Sequence, residues 1–522
     1  MVRSWDGFHR AVAGLSAWLV ARPYRAVLAA VAGALLLRAP FVLDALEPDE
    51  AGYLLVARKW TDAGSSLYGE LWVDRPPLLL LFFRAADALS SAHGVRLLGA
   101  LTVVALIALA GWAGWLVQNN RGAAWAACTA AALTSSPLLG AQEVDGELVA
   151  APLIMLSCAA VLTAAHNAAG GVRRLLWAGV AGVAGASAVA VKQNLVDGLV
   201  FAAVLLVAAA VQRSVPRADA AQMLVAGLAG ALVPVAATVA WAATTGPGVG
   251  GLVFALYGFR SRAFDVVADH GLQAPALRLA LLLLFTLLSG AALLVWSFLR
   301  ARPRDLHWRQ PLDLALVAML LTGTVGIALG ASYWSHYLIG LVPVLALISA
   351  RVAEWPQGDV SGGELLWRRR VVGLTASACT AVAVVTGWGA VTTGPEASAV
   401  SVGRWVGSSA SGSDRLVVTY GHANVVEESG LGTAYPYLWS LPVRTLDPHL
   451  RMLAATLGSS GAPAWVVEWD DVNAWGIDDE EGVRAVLARD YREVASVCGH
   501  VVYLHLGVRR ALAPVSTRCG GL

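Results

Sequence analysis

The chain has 522 residues, of which 57% are hydrophobic and 14% charged. An ordinary soluble domain carries about 25% charged residues, so a soluble globular fold is excluded for most of the length. A net charge of +2, with no basic tail and no basic-aromatic run, gives no support for a nucleic-acid partner, and the mean hydropathy of +0.65 fits a chain that crosses a bilayer repeatedly.

A hydrocarbon core about 30 Å thick needs about 20 apolar residues in helix. The opening residues have basic flanks but no clean small-residue cleavage site, and 1–23 reads as a cytoplasmic N-terminal segment. Apolar runs then fall near 24–43, 95–118, 122–140, 147–166, 174–191, 195–212, 221–243, 276–299, 312–331, 336–353 and 371–391, which predicts about eleven transmembrane helices. Basic residues concentrate in one alternating set of connections: Arg3, Arg10, Arg22 and Arg25; Arg121, Arg173 and Arg174; Arg213 and Arg217; Arg300, Arg302, Arg304 and Arg309; Arg351, Arg368, Arg369 and Arg370. The positive-inside rule puts that set, and the N-terminus, in the cytoplasm. An odd number of spans then leaves the C-terminal part outside.

Two outer connections are long, 44–94 and 244–275, and the second contains VFALYGFRSRAF, which suits an amphipathic helix lying in the interface. Function is expected on this outer face, because the inner connections look like plain basic linkers. From about 392 the texture changes. RLVVTYG, PAWVVEWD and REVASVCGHVVYLHLG read as strands; PHLRMLAATLGS and DDEEGVRAVLARDY read as helices. The predicted fold class is therefore an all-α polytopic membrane domain over 24–391, followed by a small extracytoplasmic α/β domain over 392–522. Cys128, Cys158 and Cys379 lie in apolar runs and suit packing, whereas Cys498 and Cys519 are placed to pair in an oxidising compartment. Of the 20 tryptophans, Trp405, Trp439, Trp465, Trp469 and Trp475 belong to the C-terminal domain, where core packing and sugar contact explain them equally well.

The densest polar chemistry near the membrane lies in the first outer connection. Glu47-Pro48-Asp49-Glu50-Ala51-Gly52-Tyr53 precedes Asp74-Arg75-Pro76-Pro77-Leu78, and LLVARKWTDAGSSLYGELW between them suits a short surface helix and a turn. Adjacent carboxylates repel, so one of the pair should bind its proton more tightly unless a cation lies close by, and a carboxylate tuned in that way can serve as a general base. A solvated loop acid accounts for the same residues. Asp145 and Glu147 sit in a very short connection between apolar runs, where acids are costly unless they face water or a polar cavity. Lys192, followed by Gln193, is a lone outer cation; snorkelling to headgroups is its bland explanation. His336 and Tyr337 equally suit interfacial anchoring.

Taken in order, these pieces resemble the GT-C superfamily of membrane glycosyltransferases. The likeness is to the branch containing protein O-mannosyltransferases, the lipid A aminoarabinose transferase and the bacterial Rgt-type enzymes, and it covers about 40–390. In that branch an Asp-Glu pair in the first outer loop is followed by a Lys/Arg-Pro-Pro element, matched here by Asp49, Glu50, Arg75, Pro76 and Pro77; Arg75 stands where many relatives have Lys. Gln142-Glu143-Val144-Asp145-Gly146-Glu147, Lys192-Gln193 and His336-Tyr337 with Pro343 match later elements.

The resemblance implies inverting transfer of a sugar from a polyprenyl-phosphate donor to a hydroxyl of a glycan, lipid or protein. Asp49 would be the general base, with Glu50 beside it. Tyr53, Arg75, Asp145, Glu147, Lys192, Gln193, His336 and Tyr337 would bind substrate, and the cations among them would hold the departing phosphate. Arg260 and Arg262 are further phosphate candidates. No residue is assigned as a metal ligand. Some branches use a divalent ion and others, including those this chain most resembles, do not; Asp49 with Asp145 offers oxygen ligands for Mg or Mn without a complete set. Two other classes fit a polytopic chain: a transporter or flippase of lipid-linked saccharides, and a noncatalytic cell-envelope assembly protein. A transporter should show internal repeats and broken helices at mid-membrane depth, and the sequence has no clear repeat.

Overall fold

In the computed structural model, residues 21–42, 44–60, 67–166, 171–269, 273–300, 310–353, 362–393, 398–515 and 519 are described. Most of the N-terminal segment 1–23, with Arg3 and Arg10, and the basic residues Arg302, Arg304 and Arg309 lie outside them. The chain divides into two compact units: Met1–Val42 with Leu97–Thr238 and Gln273–Trp388, and Leu43–Arg96 with Val239–Leu272 and Gly389–Leu522.

The first unit is a helical bundle. Eight described helices in the chain are long and apolar enough to cross a membrane, or up to nine if the bent pair Gly248–Ala268 and Gln273–Leu288 forms one span. About eleven were expected, and each expected run coincides with helix. The difference arises where helices are short or broken. Ala92–Ser135 is two helices joined without a gap at a kink, Gln118 and Asn119, whose backbones leave the helical region, so one 44-residue stretch carries two of the expected runs. Asp197–Val211 has only 15 residues, and Ser289-Gly290 separates Gln273–Leu288 from Ala291–Arg300. Apolar composition makes these segments helical in lipid, where every backbone polar group must be satisfied internally. Small residues then bring them together: Gly179 and Gly182 of Gly171–Val191 meet Gly227 and Gly230 of Arg217–Thr244 backbone to backbone. A buried fork joins Arg351 to Asp313 at 2.8 and 3.0 Å, and Arg351 also donates to Gln310 at 2.9 Å.

The second unit gathers the two long outer connections with the C-terminal domain. The first connection supplies the helices Pro48–Lys59 and Pro77–Ser90. The VFALYGFRSRAF stretch is helical as expected, with a π-helical turn at Phe254–Gly258 leading into Phe259–Asp269. The C-terminal part holds a five-stranded sheet of β1 (Arg415–Val418), β2 (Gly432–Thr433), β3 (Trp465–Glu468), β4 (Tyr491–Val497) and β5 (His500–His505), in the order β2-β1-β3-β5-β4. β2, β1 and β3 run parallel; β5 and β4 are antiparallel additions. The stretch read as one strand, REVASVCGHVVYLHLG, is a hairpin. Cys498 and Gly499 both take positive φ, as a tight two-residue turn requires. Cys498 is disulfide-bonded to Cys519. The helices Ser398–Ser409, Ala423–Ser429 and Ser440–Leu446 were not foreseen. The core of the domain includes Val417, Tyr435, Leu450, Val466, Val483 and Leu487.

Candidate active site

The candidate residues fall into two groups, one in each unit. In the outer-loop unit, Pro48 opens a helix. With φ fixed by its ring, it is the first residue of Pro48–Lys59, so the acidic pair lies in the first helical turn, where the helix dipole favours negative charge. The two acids have different surroundings. Glu50 is fully buried and turned back on its own helix start: Oε2 accepts the Glu47 N–H at 2.9 Å in a capping box, and Oε1 pairs with Arg96 at 2.5 Å. Arg96 is thus the nearby cation that the adjacent carboxylates called for. It also donates to the Ala45 carbonyl at 2.9 Å.

Asp49 is half-buried. Its Oδ1 accepts the indole N–H of Trp439 at 2.7 Å, and its Oδ2 lies 3.4 Å from the Tyr53 hydroxyl. The Tyr53 ring packs against Phe83 and Trp439, with the Arg75 guanidinium 5.8 Å from its centroid. Arg75 is buried and pairs with Asp74 at 2.6 Å, and Arg260 forms a second ion pair with Asp74. Two guanidinium groups therefore share one carboxylate close to Tyr53, and guanidinium groups are the side chains that best bind phosphate oxygens. Arg262 lies over the Phe254 ring at 5.0 Å and takes no part in this arrangement.

The helical unit holds the second group. Asp145 caps Gly146–His166 by accepting the Leu148 N–H through Oδ1 at 2.9 Å, while its buried Oδ2 makes no hydrogen bond and lies 3.5 Å from His336 Nδ1. Burial, and then the neighbouring Glu147 charge, push the Asp145 carboxyl well above the ordinary carboxylate range. Glu147 is ion-paired with Lys192, whose ammonium also stands 4.5 Å from the centroid of the Tyr337 ring. A Cβ at Gly146 would sit 3.1 Å from Lys192 Cδ, so the bare backbone there lets the lysine stem lie across the helix start. Gln193 follows in the turn after Gly171–Val191. His336 and Tyr337 open a 3-10 helix, Ser335–Leu341, and His336 also lies 3.8 Å from Glu143. A small, narrow cleft adjoins the group, lined in part by Glu147, Asn194, Asp197, Gly323, Gly326 and Tyr337.

Asp145, Glu147 and His336 present two carboxylate oxygens and an imidazole nitrogen within 4.8 Å of one another, a donor set fit for a divalent cation. The unbonded Asp145 Oδ2 supports that fit, and the Lys192 ammonium competes for Glu147. The sequence pointed to all three residues but not to their joint use, since Glu147 and His336 are 189 positions apart. Trp439 and Arg96 were missed as site residues. Arg96 carried a signal, as an outer-face cation at the edge of an apolar run; Trp439 carried none that sets it apart from four other tryptophans of its domain.

No family model matches the chain, and no curated protein does. Solved structures do. The fold superposes on ArnT from Cupriavidus metallidurans, crystallised with undecaprenyl phosphate, at a TM-score of 0.63 and 16% identity, covering 91% of this chain and 97% of that one. It also superposes on the oligosaccharyltransferase AglB from Archaeoglobus fulgidus, in complex with an inhibitory peptide and a dolichol-phosphate, at a TM-score of 0.51 and 12% identity over 94% of this chain and 75% of that one. A second structure of the Archaeoglobus enzyme, tethered to an acceptor peptide, gives 0.53 and 12% over 90% and 72%. The chain therefore has the GT-C fold, with multiple apolar helices and a small sheet domain near the C-terminus, as its ordered motifs led one to expect.

Proposed function

We propose that the protein is a membrane glycosyltransferase that moves a sugar from a polyprenyl-phosphate donor to an acceptor hydroxyl, with inversion, using Asp49 as general base. The observation that carries this reading is the difference between the adjacent acids: Glu50 is neutralised by Arg96, whereas Asp49 is held by neutral donors. The fold adds support, since ArnT was crystallised with undecaprenyl phosphate and AglB with a dolichol-phosphate. In the reaction the acceptor oxygen bonds to the anomeric carbon and its proton passes to an Asp49 oxygen. The bond from that carbon to the phosphate oxygen breaks, and its electron pair leaves with the lipid phosphate. Arg75 and Arg260, already gathered around Asp74, are the phosphate partners in the outer-loop unit; Lys192 and His336 are the candidates in the helical unit. Asp145, Glu147 and His336 would hold a divalent cation, which would supply positive charge for substrate oxygens. The N-terminus is assigned to the cytoplasm and the C-terminal domain to the outer side.

The test is direct. Native and Asp49→Asn protein in membranes are incubated with polyprenyl phosphates carrying labelled mannose, arabinose, galacturonate or an amino sugar. Transfer of one label by native protein and none by the variant supports the reading. Equal transfer by both removes Asp49 from the chemistry, and no transfer of any label by native protein removes the donor class.

A further inference from the structure

The C-terminal domain touches the candidate base directly, a contact that neither its sequence nor its sheet suggests. Trp439 stands between the strand region and the Ser440–Leu446 helix, and its indole reaches back to the first outer connection. There the ring lies against Gly52, and a Cβ added at that glycine would come within 2.8 Å of Trp439 Cη2. Residue 52 is thus restricted to glycine by the same indole whose N–H donates to Asp49 Oδ1 at 2.7 Å.

The segment around Trp439 is fixed from both sides. Before it, the Trp72 N–H donates to the Pro436 carbonyl at 3.0 Å, and the Trp72 ring packs on Phe259 and Tyr437. Behind it lies the turn leaving β1, in which Tyr420, Gly421 and His422 have φ of 57°, 130° and 58°. Three successive positive φ values, two of them at residues with a Cβ, hold strain that the surrounding contacts must offset. At Gly421 an added Cβ would lie 3.6 Å from the Leu438 carbonyl oxygen and 3.8 Å from Trp439 Cα. A further clamp joins the domain to the same helix: Arg58 of Pro48–Lys59 pairs with Asp87 at 2.8 Å and with Glu427 of Ala423–Ser429.

We infer that Trp439 is a positioning residue for Asp49: the C-terminal domain holds Oδ1 through the short indole N–H bond, so that Oδ2, whose contact with the Tyr53 hydroxyl is long at 3.4 Å, is presented to the acceptor hydroxyl. This rests on Asp49 being the base. The chemical logic is that an aspartate in a first helical turn can rotate about its side-chain bonds, and one fixed hydrogen bond selects the orientation that proton abstraction requires. Misplacement by about 1 Å can cost about a hundredfold in rate.

Four variants and two readouts test it. Trp439→Phe keeps an aromatic ring and removes the donor; Trp439→His restores a ring N–H; Gly52→Ala keeps both side chains but displaces the indole; Asp49→Asn removes the charged acceptor. With the labelled donor that native protein turns over, kcat is expected to fall about tenfold or more in Trp439→Phe and Gly52→Ala with KM for donor unchanged, and to recover in part in Trp439→His. Independently of turnover, the Trp439 indole N–H resonance in 15N-labelled protein, assigned by its loss in Trp439→Phe, is expected to shift in Asp49→Asn. Full kcat in Trp439→Phe, or equal losses in the Phe and His variants, overturns the positioning role. An unmoved indole resonance overturns the contact itself. Full transfer by Asp49→Asn leaves an intact contact but sinks the base assignment, so the two failures are told apart.

Discussion

The two polar groups differ in how their carboxylates are compensated. In the helical unit, Glu147 is paired internally with Lys192, and Asp145 is drawn toward His336 while it caps a helix. In the outer-loop unit, Glu50 is compensated in the same way by Arg96, but Asp49 next to it meets an indole and a phenol. A buried carboxylate with a cationic partner has its charge committed to holding the structure together. One held by neutral donors is not committed to a cation of the protein and can meet a substrate hydroxyl. The comparison teaches that neighbouring acids of one motif can be divided between architecture and chemistry by which way each side chain turns.

The largest effect should separate those two roles outright. Asp49→Asn is expected to lower transfer at least about a thousandfold with little change in the thermal midpoint of the detergent-purified protein. Glu50→Gln should do the opposite, leaving Arg96 buried without its carboxylate, lowering the midpoint while transfer stays within about threefold. If both variants lose activity equally while remaining folded, the division fails.

In the helical unit, Lys192→Met removes the ammonium paired with Glu147 and should destabilise by about 3–5 kcal/mol, whereas adding Glu147→Gln should recover most of the loss. Denaturant or thermal unfolding of the single and double variants checks this, and additive losses would mean that the pair is not coupled. A smaller effect concerns the turn behind Trp439. His422 is pushed down to about 4 by burial, with the His500 charge adding to the shift. The unfolded chain then binds a proton that the folded one refuses, so stability should fall as pH drops from about 6.5 toward about 4. His422→Gln should flatten that dependence. Smallest of all, Arg58→Ala, which opens the two partly exposed ion pairs to Asp87 and Glu427, should cost about 1 kcal/mol or less for each pair.

Much of the architecture was legible in the residues themselves. Composition and the spacing of apolar runs settle a polytopic helical body, because lipid leaves the backbone few alternatives to helix. Alternating strand and helix patterns from 415 onward settle an α/β domain, since β1, β3 and the hairpin carry apolar residues that only a sheet core can bury. The ordered motifs from Asp49 to Tyr337 pointed to the GT-C fold. Side-chain partnership was not legible. Glu50 and Asp49 are adjacent and chemically alike, and only helix geometry turns one toward Arg96 and the other toward Trp439, a residue 390 positions away. Lys192 and Glu147 meet across 45 positions, and Glu147 and His336 across 189. Local pattern reports what a segment will form, because propensity and burial act over a few residues. Which charge is neutralised and which is kept depends on long-range packing, and only the tertiary structure decides that.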